Sequence, residues 1–387
     1  MRIAINAWFI DRPTTGSGQY LAHLLSEYAA SAQSARSGPR APSYLLCGQP
    51  HQPHPEAACF EWQVLRTPFD GLHRHLSKLW FEQVSFPRAC QRWGAELIHV
   101  PYWASPLRPP APTVVTVHDL IPLLLPAYGG GTLGKWYTRL VSHTARLASR
   151  VLTDSEAARQ DIIQHLRIPP DRVQAIHLAA GERFRPIDDP QERERVGLKY
   201  ALPNRYLLYL GGFEVRKNVA GILRAFARLD APGVRLVVAG KLPGEDSAFF
   251  PDPRRVAREL AIVDRVCFTG WVDEEDKPAL YSGATALLFP SLYEGFGLPP
   301  LEAMSCGTPV IVSDRSSLPE LVGPGGLCVD PTDPGALAAA MARIVRDSSL
   351  YQELCQAART QANKFSWRRC AKETAAAYHL ALEHYGR

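Results

Sequence analysis

Short apolar runs alternate with amphipathic stretches along most of the chain, from Ile3 to Ala7 at one end to the stretch after Ser366 at the other. Apolar runs without internal alternation suit strands buried on both faces, and the stretches between them repeat at helical spacing. The pattern predicts βαβ units around parallel sheets, an α/β fold class. In the first half the predicted strands are Ile3 to Ala7, Tyr44 to Cys47, Val64 to Thr67, Leu97 to Val100, Thr113 to Val117, Val151 to Thr153 and Val173 to Leu178. Helices are predicted at Gln19 to Ala32, His73 to Trp93, Gly134 to Ala148 and Ser155 to Leu166, the last capped by Asp154 or Ser155.

Between Gly181 and Asn204 the sequence becomes charged and is broken by Pro186, Pro190 and Pro203; the alternation then restarts with YLLYLGG. A linker is expected there, dividing the chain into domains 1–185 and 186–366. Strands of the second half are predicted at Tyr206 to Leu210, Arg235 to Ala239, Val266 to Thr269, Ala286 to Phe289, Pro309 to Ser313 and Leu327 to Val329, and the tail from Asp333 is helical in pattern. Two doubly wound domains facing across a cleft are the expected architecture, with ligand bound beyond the carboxyl ends of the strands. Ser31 to Pro42, rich in Ser, Ala, Pro and Gly, reads as a surface loop.

Composition narrows the function classes. With 387 residues, 46% hydrophobic and 21% charged, the chain is neither a disulfide scaffold nor disordered. A net charge of +5 over this length argues against wholesale nucleic-acid binding but leaves room for a local cationic pocket for phosphates. The eight cysteines include no CxxC pair and no zinc-like spacing, so reduced thiols and a cytoplasmic location are expected. The start, MRIAINAWFIDRP, lacks a signal-peptide pattern, and no run approaches the ~20 apolar residues of a membrane span.

The richest chemistry lies in LLFPSLYEGFGLPPLEAMSCGTPVIVSD. It reads as a strand, a Gly-rich turn holding Glu294, and a helix opened by Pro299 and Pro300 that carries Glu302. Gly295 and Gly297 clear side chains from a helix N-terminus that would suit a diphosphate. Alone, these acids also fit a turn cap and a helix-dipole partner. Arg216 and Lys217 follow YLLYLGG, where Gly211 and Gly212 end a strand, and His118 ends TVVTVHD beside Asp119.

Glu294 and Glu302, seven residues apart within YEGFGLPPLEAMSCGTPVI, resemble the E-x7-E signature of retaining family 4 glycosyltransferases with the GT-B fold. GGFEVRKNVAGILRAFARL, VHDLIPLLLP and TGSGQY resemble further segments of that family, and the helix after FSW, 367–387, resembles the one that crosses back onto the first domain. The resemblance implies a metal-independent hexosyltransferase, without cofactor, using a nucleotide-diphosphate sugar (GDP or UDP) held mainly by the second domain. The first domain would then take a glycan or lipid-linked glycan acceptor. It implies that Glu302 accepts from the donor ribose, that Glu294 holds the transferred sugar, and that Arg216 and Lys217 stabilise the leaving phosphates. His118 would donate to a sugar hydroxyl with Asp119 orienting it or the loop, and Gly16 and Gly18 would admit phosphate or sugar to the backbone. Gly212 and the backbone of Phe296, Gly297 and Leu298 would contact donor, while Gly240 and Val272 would wall the base. Mannose from GDP-mannose, as in bacterial polysaccharide synthesis, is the favoured donor, with UDP-glucose close behind.

Other signals compete. A GT-B epimerase, a phosphorylase and a non-catalytic sugar-nucleotide binder stay open. GGGTLGK at 129–135 lacks the P-loop Ser or Thr and reads as a mobile loop. The run Asp273 to Asp276 reads as a solvated helix cap that needs no ion. Trp80, Phe81 and Phe86, beside Lys78 and Arg88, suit either core packing or a peripheral contact with the inner face of a membrane.

Overall fold

Two separate parallel sheets account for the predicted strands. A computed structural model describes residues 1–34 and 42–385. It divides into one unit built from Met1–Leu178 plus the chain from Trp367 onward, and a second, Ala179–Ser366.

In the first unit the strands are β1 (Arg2–Asn6), β2 (Ser43–Gly48), β3 (Phe60–Val64), β4 (Leu97–Val100), β5 (Thr113–Thr116), β6 (Arg150–Thr153) and β7 (Val173–Ala175), ordered β3-β2-β1-β4-β5-β6-β7. Its helices are α1 (Gly16–Ser34), α2 (Arg74–Trp80), α3 (Phe86–Trp93), α4 (Ile121–Leu124), α5 (Thr132–Leu147) and α6 (Glu156–Leu166). In the second unit β8 (Tyr206–Leu210), β9 (Arg235–Ala239), β10 (Val266–Gly270), β11 (Ala286–Phe289), β12 (Val310–Ser313) and β13 (Gly326–Val329) run in the order β10-β9-β8-β11-β12-β13. Around them lie α7 (Pro190–Lys199), α8 (Val219–Ala227), α9 (Pro253–Glu259), α10 (Lys277–Gly283), α11 (Leu298–Ser305), α12 (Leu318–Val322), α13 (Pro334–Arg346) and α14 (Ser348–Ala362). Both orders reverse at one point, between β1 and β4 and between β8 and β11, and loops leaving such a switch point diverge to leave a crevice.

Central strands such as β4, β5, β8 and β11 are buried at every residue, which is why they read as largely apolar runs. The edge strands are less buried, β3 among them. FEWQV pairs only with β2 and keeps a wet side, so it alternates, and the apolar cue misplaced it at Val64 to Thr67.

The segment His73 to Trp93 is helical but interrupted by a π turn, Phe81–Ser85, between α2 and α3. Pro87 has no N–H to return to the preceding turn, and a widened turn absorbs that mismatch. Phe81 and Phe86 are fully buried and stack at 6.3 Å, with Phe81 edge-on to Trp8 at 4.9 Å. These two aromatics are core, each contributing about 2 kcal/mol of burial, and offer no surface to a membrane. The glycine run does not form a loop through Lys135: Gly131 is the N-cap of α5, which starts at Thr132. Of the Ser31 to Pro42 stretch, residues 31–34 finish α1 and 35–41 lie outside the described residues.

The last helix, α15 (Trp367–Tyr385), belongs to the first unit. Its Tyr378 hydroxyl lies 3.0 Å from that of Tyr28 and 2.8 Å from Nδ1 of His99. His99 is fully buried, and burial pushes its pKa down to about 3, so it is a neutral structural ring bridging Tyr378 and Thr116.

Candidate active site

The second unit assembles its charged residues at the switch point. β8 is followed by a turn at Val215–Lys217 and by Asn218 in the left-handed conformation; Asn218 Nδ2 donates to the carbonyls of Pro290 and Pro331. The Leu292 N–H donates to the Arg216 carbonyl at 2.8 Å. These bonds zip the cationic turn after β8 to the Gly-rich turn after β11.

Glu294 is therefore met by both cations: Arg216 Nη1 and Lys217 Nζ lie 2.7 and 2.8 Å from the same Oε1, with all three side chains 10–13% exposed. Burial alone would raise the Glu294 pKa, but Lys217 and Arg216 outweigh it and hold the carboxyl below its ordinary value. Arg216 also donates to the Tyr293 carbonyl at 2.7 Å, and Lys217 sits 4.7 Å from the Phe289 ring centre. Arg has five donors and Lys three, so each retains capacity for an incoming anion beside Glu294.

The rest of the turn is held by two serines that the sequence did not single out. Ser316 Oγ accepts from the Glu294 N–H at 3.0 Å, and Ser317 Oγ donates to the carbonyls of Glu294 and Phe296. Gly297, at φ +119°, turns the chain into α11, and a β-carbon there would press on Leu318 and Leu321. Because Pro299 and Pro300 carry no N–H, only Gly297 and Leu298 can offer amides at this helix start, a poorer anion cradle than the pattern suggested. Phe296 is buried and packs edge-on against Phe365 at 6.0 Å, so its contribution to any ligand is by backbone.

Glu302 lies on α11, 5% exposed, and accepts from the Tyr281 hydroxyl at 2.9 Å. Burial raises its pKa, with Lys277 countering. Tyr281, on α10, is a partner the sequence analysis missed. The ends of β8 to β10 come together at Gly240: it adopts φ +138°, and a β-carbon would stand 2.1 Å from the Gly211 carbonyl oxygen. Gly212 is crowded by the Glu214 carboxylate, and Val272 is buried.

Within the acidic run Asp273 and Glu275 are exposed, as a solvated stretch would be, but Asp276 is not. Asp276 is fully buried, bonded to Arg195, Lys199 (2.6 Å) and Tyr200 (2.7 Å), and despite burial these partners hold its pKa down at about 2. It fastens α7 to the start of α10.

In the first unit, His118 Nδ1 lies 2.8 Å from Asp154 Oδ2, and Nε2 faces the Pro101 carbonyl oxygen at 3.3 Å. Burial opposes its charge, but Asp154 more than offsets this and the pKa is raised. Asp119 orients the loop, its Oδ1 accepting from the Ile121 N–H to start α4, and is not the group that holds the ring's Nδ1. Asp154 takes that role, having been read only as a helix cap, while the cap itself is Ser155. The missed signal was position: Asp154 directly follows β6, the neighbour of β5, so both carboxyl ends meet. Tyr20 packs edge-on to His118 at 5.3 Å. Gly16 has open space around it, whereas a β-carbon on Gly18 would lie 1.9 Å from the Arg12 carbonyl oxygen. Gly18 is thus required by the loop's own backbone packing.

Comparison with known proteins shows the family and the fold. Residues 190–361 match the family model for glycosyl transferases group 1, and residues 42–179 that for glycosyltransferase family 4. The O-antigen chain mannosyltransferase B of Escherichia coli is 35% identical over 274 residues, covering 69% of this chain and 70% of the relative. The serotype-specific mannosyltransferase WbdA of Escherichia coli is 34% identical over 291 residues, 72% of this chain, but the chain spans only 34% of that relative's length. In fold, sucrose-phosphate synthase from Thermosynechococcus elongatus superposes with a TM-score of 0.74 at 23% identity, covering 98% of each chain. Anabaena HepE in complex with UDP and glucose gives 0.72 at 18% identity, with 97% of this chain and 98% of that one covered.

Proposed function

From the premise that this chain is a glycosyltransferase of family 4 with the GT-B fold, we propose that it moves a hexose, mannose first among candidates, from a nucleotide-diphosphate sugar to a glycan or lipid-linked glycan with retention of configuration. The observation that carries the donor assignment is the convergence of Arg216 and Lys217 on Glu294 Oε1 at the switch point of the second sheet. A cation pair so placed meets the charge that appears on the diphosphate as the anomeric bond breaks, and no cofactor or metal is needed for that task. Mannose is supported by the mannosyltransferases among the similar proteins.

In this reading Glu302 accepts from the ribose and Glu294 from the transferred sugar, while the backbone of Phe296, Gly297 and Leu298 borders the diphosphate and Gly212, Gly240 and Val272 the nucleoside. His118, charged and aimed by Asp154, donates from Nε2 to a sugar hydroxyl, which replaces the long contact with the Pro101 carbonyl. The C1–O bond to phosphate breaks, the acceptor oxygen bonds to C1 on the same face, and the acceptor proton passes to the departing phosphate oxygen. The first unit takes the acceptor. We place the reaction in the cytoplasm, where the eight free cysteines stay reduced, with the membrane's inner face as the source of any lipid-linked acceptor. Among the described residues no helix is long and apolar enough to cross a membrane.

The test is a panel of GDP- and UDP-hexoses incubated with an oligomannose acceptor, with the new linkage read by NMR. An α-mannoside from GDP-mannose is expected. Transfer from UDP-glucose alone would replace mannose with glucose, and conversion of donor without acceptor glycosylation would overturn the transferase reading.

A further inference from the structure

At the carboxyl end of the edge strand β3 lies a cavity of about 540 Å³ whose walls include Arg66, Arg88 and Arg92. No Asp or Glu is among its lining residues, and none of the residues assigned to sugar transfer lines it. Among the described residues, none of these three guanidinium groups makes a hydrogen bond or ion pair, in contrast to Arg159, Arg195, Arg255 and Arg369, each bonded to a carboxylate. Arg88 and Arg92 stand four apart on α3, a spacing at which like charges repel on a helix. A chain that gathers uncompensated positive charge around a cavity gains from an anion that fills it.

The cavity is shaped by the feature that breaks the helical pattern. The π turn Phe81–Ser85 joins α2 to α3, and the residue before it, Trp80, and its last residue, Ser85, both line the cavity. Ser85 Oγ donates to the Arg66 carbonyl at 3.2 Å, tying the turn to the strand end. π turns are retained mainly where they serve a site. Between the Thr67–Pro68 wall and Trp80 the chain carries Leu72 and Leu76, 81% and 41% exposed.

We propose that this cavity is a binding site for a phosphate-bearing ligand, gripped by Arg66, Arg88 and Arg92 with Trp80 as its apolar wall. Guanidinium groups match phosphate oxygens bidentately, and a loss of about tenfold or more is expected when the three are neutralised. The phosphate can belong to a lipid headgroup or to a free phosphorylated compound, and the two sources give different results.

The experiment compares the full chain with an R66Q/R88Q/R92Q variant, whose thermal unfolding establishes that it folds. One arm measures sedimentation with phosphatidylglycerol vesicles at two salt concentrations, and the other measures binding of inorganic pyrophosphate and mannose 1-phosphate by calorimetry. Vesicle binding that the variant loses and salt weakens assigns the lipid headgroup; calorimetric binding that the variant loses assigns the free phosphate. Equal binding by both proteins in both arms overturns the proposal, as would wild-type failure to bind either probe. Should the variant not fold, the single variants R88Q and R92Q are measured in the same two arms, with the same outcomes decisive. Because pyrophosphate can also meet Arg216 and Lys217, the comparison is repeated in a K217A background, where the loss on neutralising the three arginines must persist. Hexose transfer to a soluble acceptor, measured alongside, reports separately on the transferase reading.

Discussion

Asp154 reaches His118 from the next strand end, 2.8 Å from Nδ1, and leaves the ring held between two acceptors. Only the doubly protonated ring donates to both; burial opposes that charge, and the Asp154 carboxylate, aided by these hydrogen bonds, outweighs it and raises the pKa. Replacement by Asn removes the charge and keeps the shape. Asp154→Asn is expected to lower kcat/KM roughly 10- to 100-fold, the worth of a charge-assisted hydrogen bond. The alkaline fall of activity, which marks loss of the imidazolium proton, should move to lower pH, and an NMR titration of His118 should move with it. The stability this pair contributes is fully present below the unfolded pKa of about 6.5 and is lost as pH rises through the raised folded value. An unchanged pH profile would sink the assignment.

Lys217→Ala should reduce turnover by ~10² with a smaller effect on donor KM, because the missing charge matters most as the leaving group forms. Single-turnover kinetics separates this from slow product release.

Glu294→Gln leaves two buried cations without their carboxylate, and a loss of about 3 kcal/mol in urea unfolding at pH 7 is expected. The Glu294 pKa is depressed in the folded chain. Its stabilising share is therefore present above the unfolded value of about 4.3 and lost as pH falls through the lower folded one, so parent and variant should converge in acid. A gap that persists there would show that the carboxylate's charge is not what matters.

Gly240→Ala is expected to cost about 3 kcal/mol or more, since it combines a conformation reserved for glycine with a β-carbon inside the Gly211 carbonyl contact. Chemical denaturation checks this, and near-parental stability would contradict the crowding of these strand ends.

Excess EDTA should leave transfer unchanged if Arg216 and Lys217 carry the phosphate charge; restoration of lost activity by a divalent ion would refute metal-independent transfer.

What the amino-acid sequence determined by itself is local or periodic. Buried strands such as Tyr206–Leu210 and Leu97–Val100 are apolar on both faces, so their limits are readable from the chain alone. The spacing of Glu294 and Glu302 around a Gly-Pro helix start is likewise a local matter, as is the basic pair after Gly211-Gly212. Only the tertiary structure decided who meets whom. Asp154 and His118 are 36 residues apart, Lys217 and Glu294 are 77 apart, and Tyr378 and His99 are 279 apart. Strand order sets the first two meetings and the return of α15 to the first unit sets the third, and no periodicity within a segment encodes which element will lie beside it. The same holds for β3, whose wet edge erased its apolar signature, and for Asp276, buried by partners on α7 that its own charged neighbourhood did not reveal.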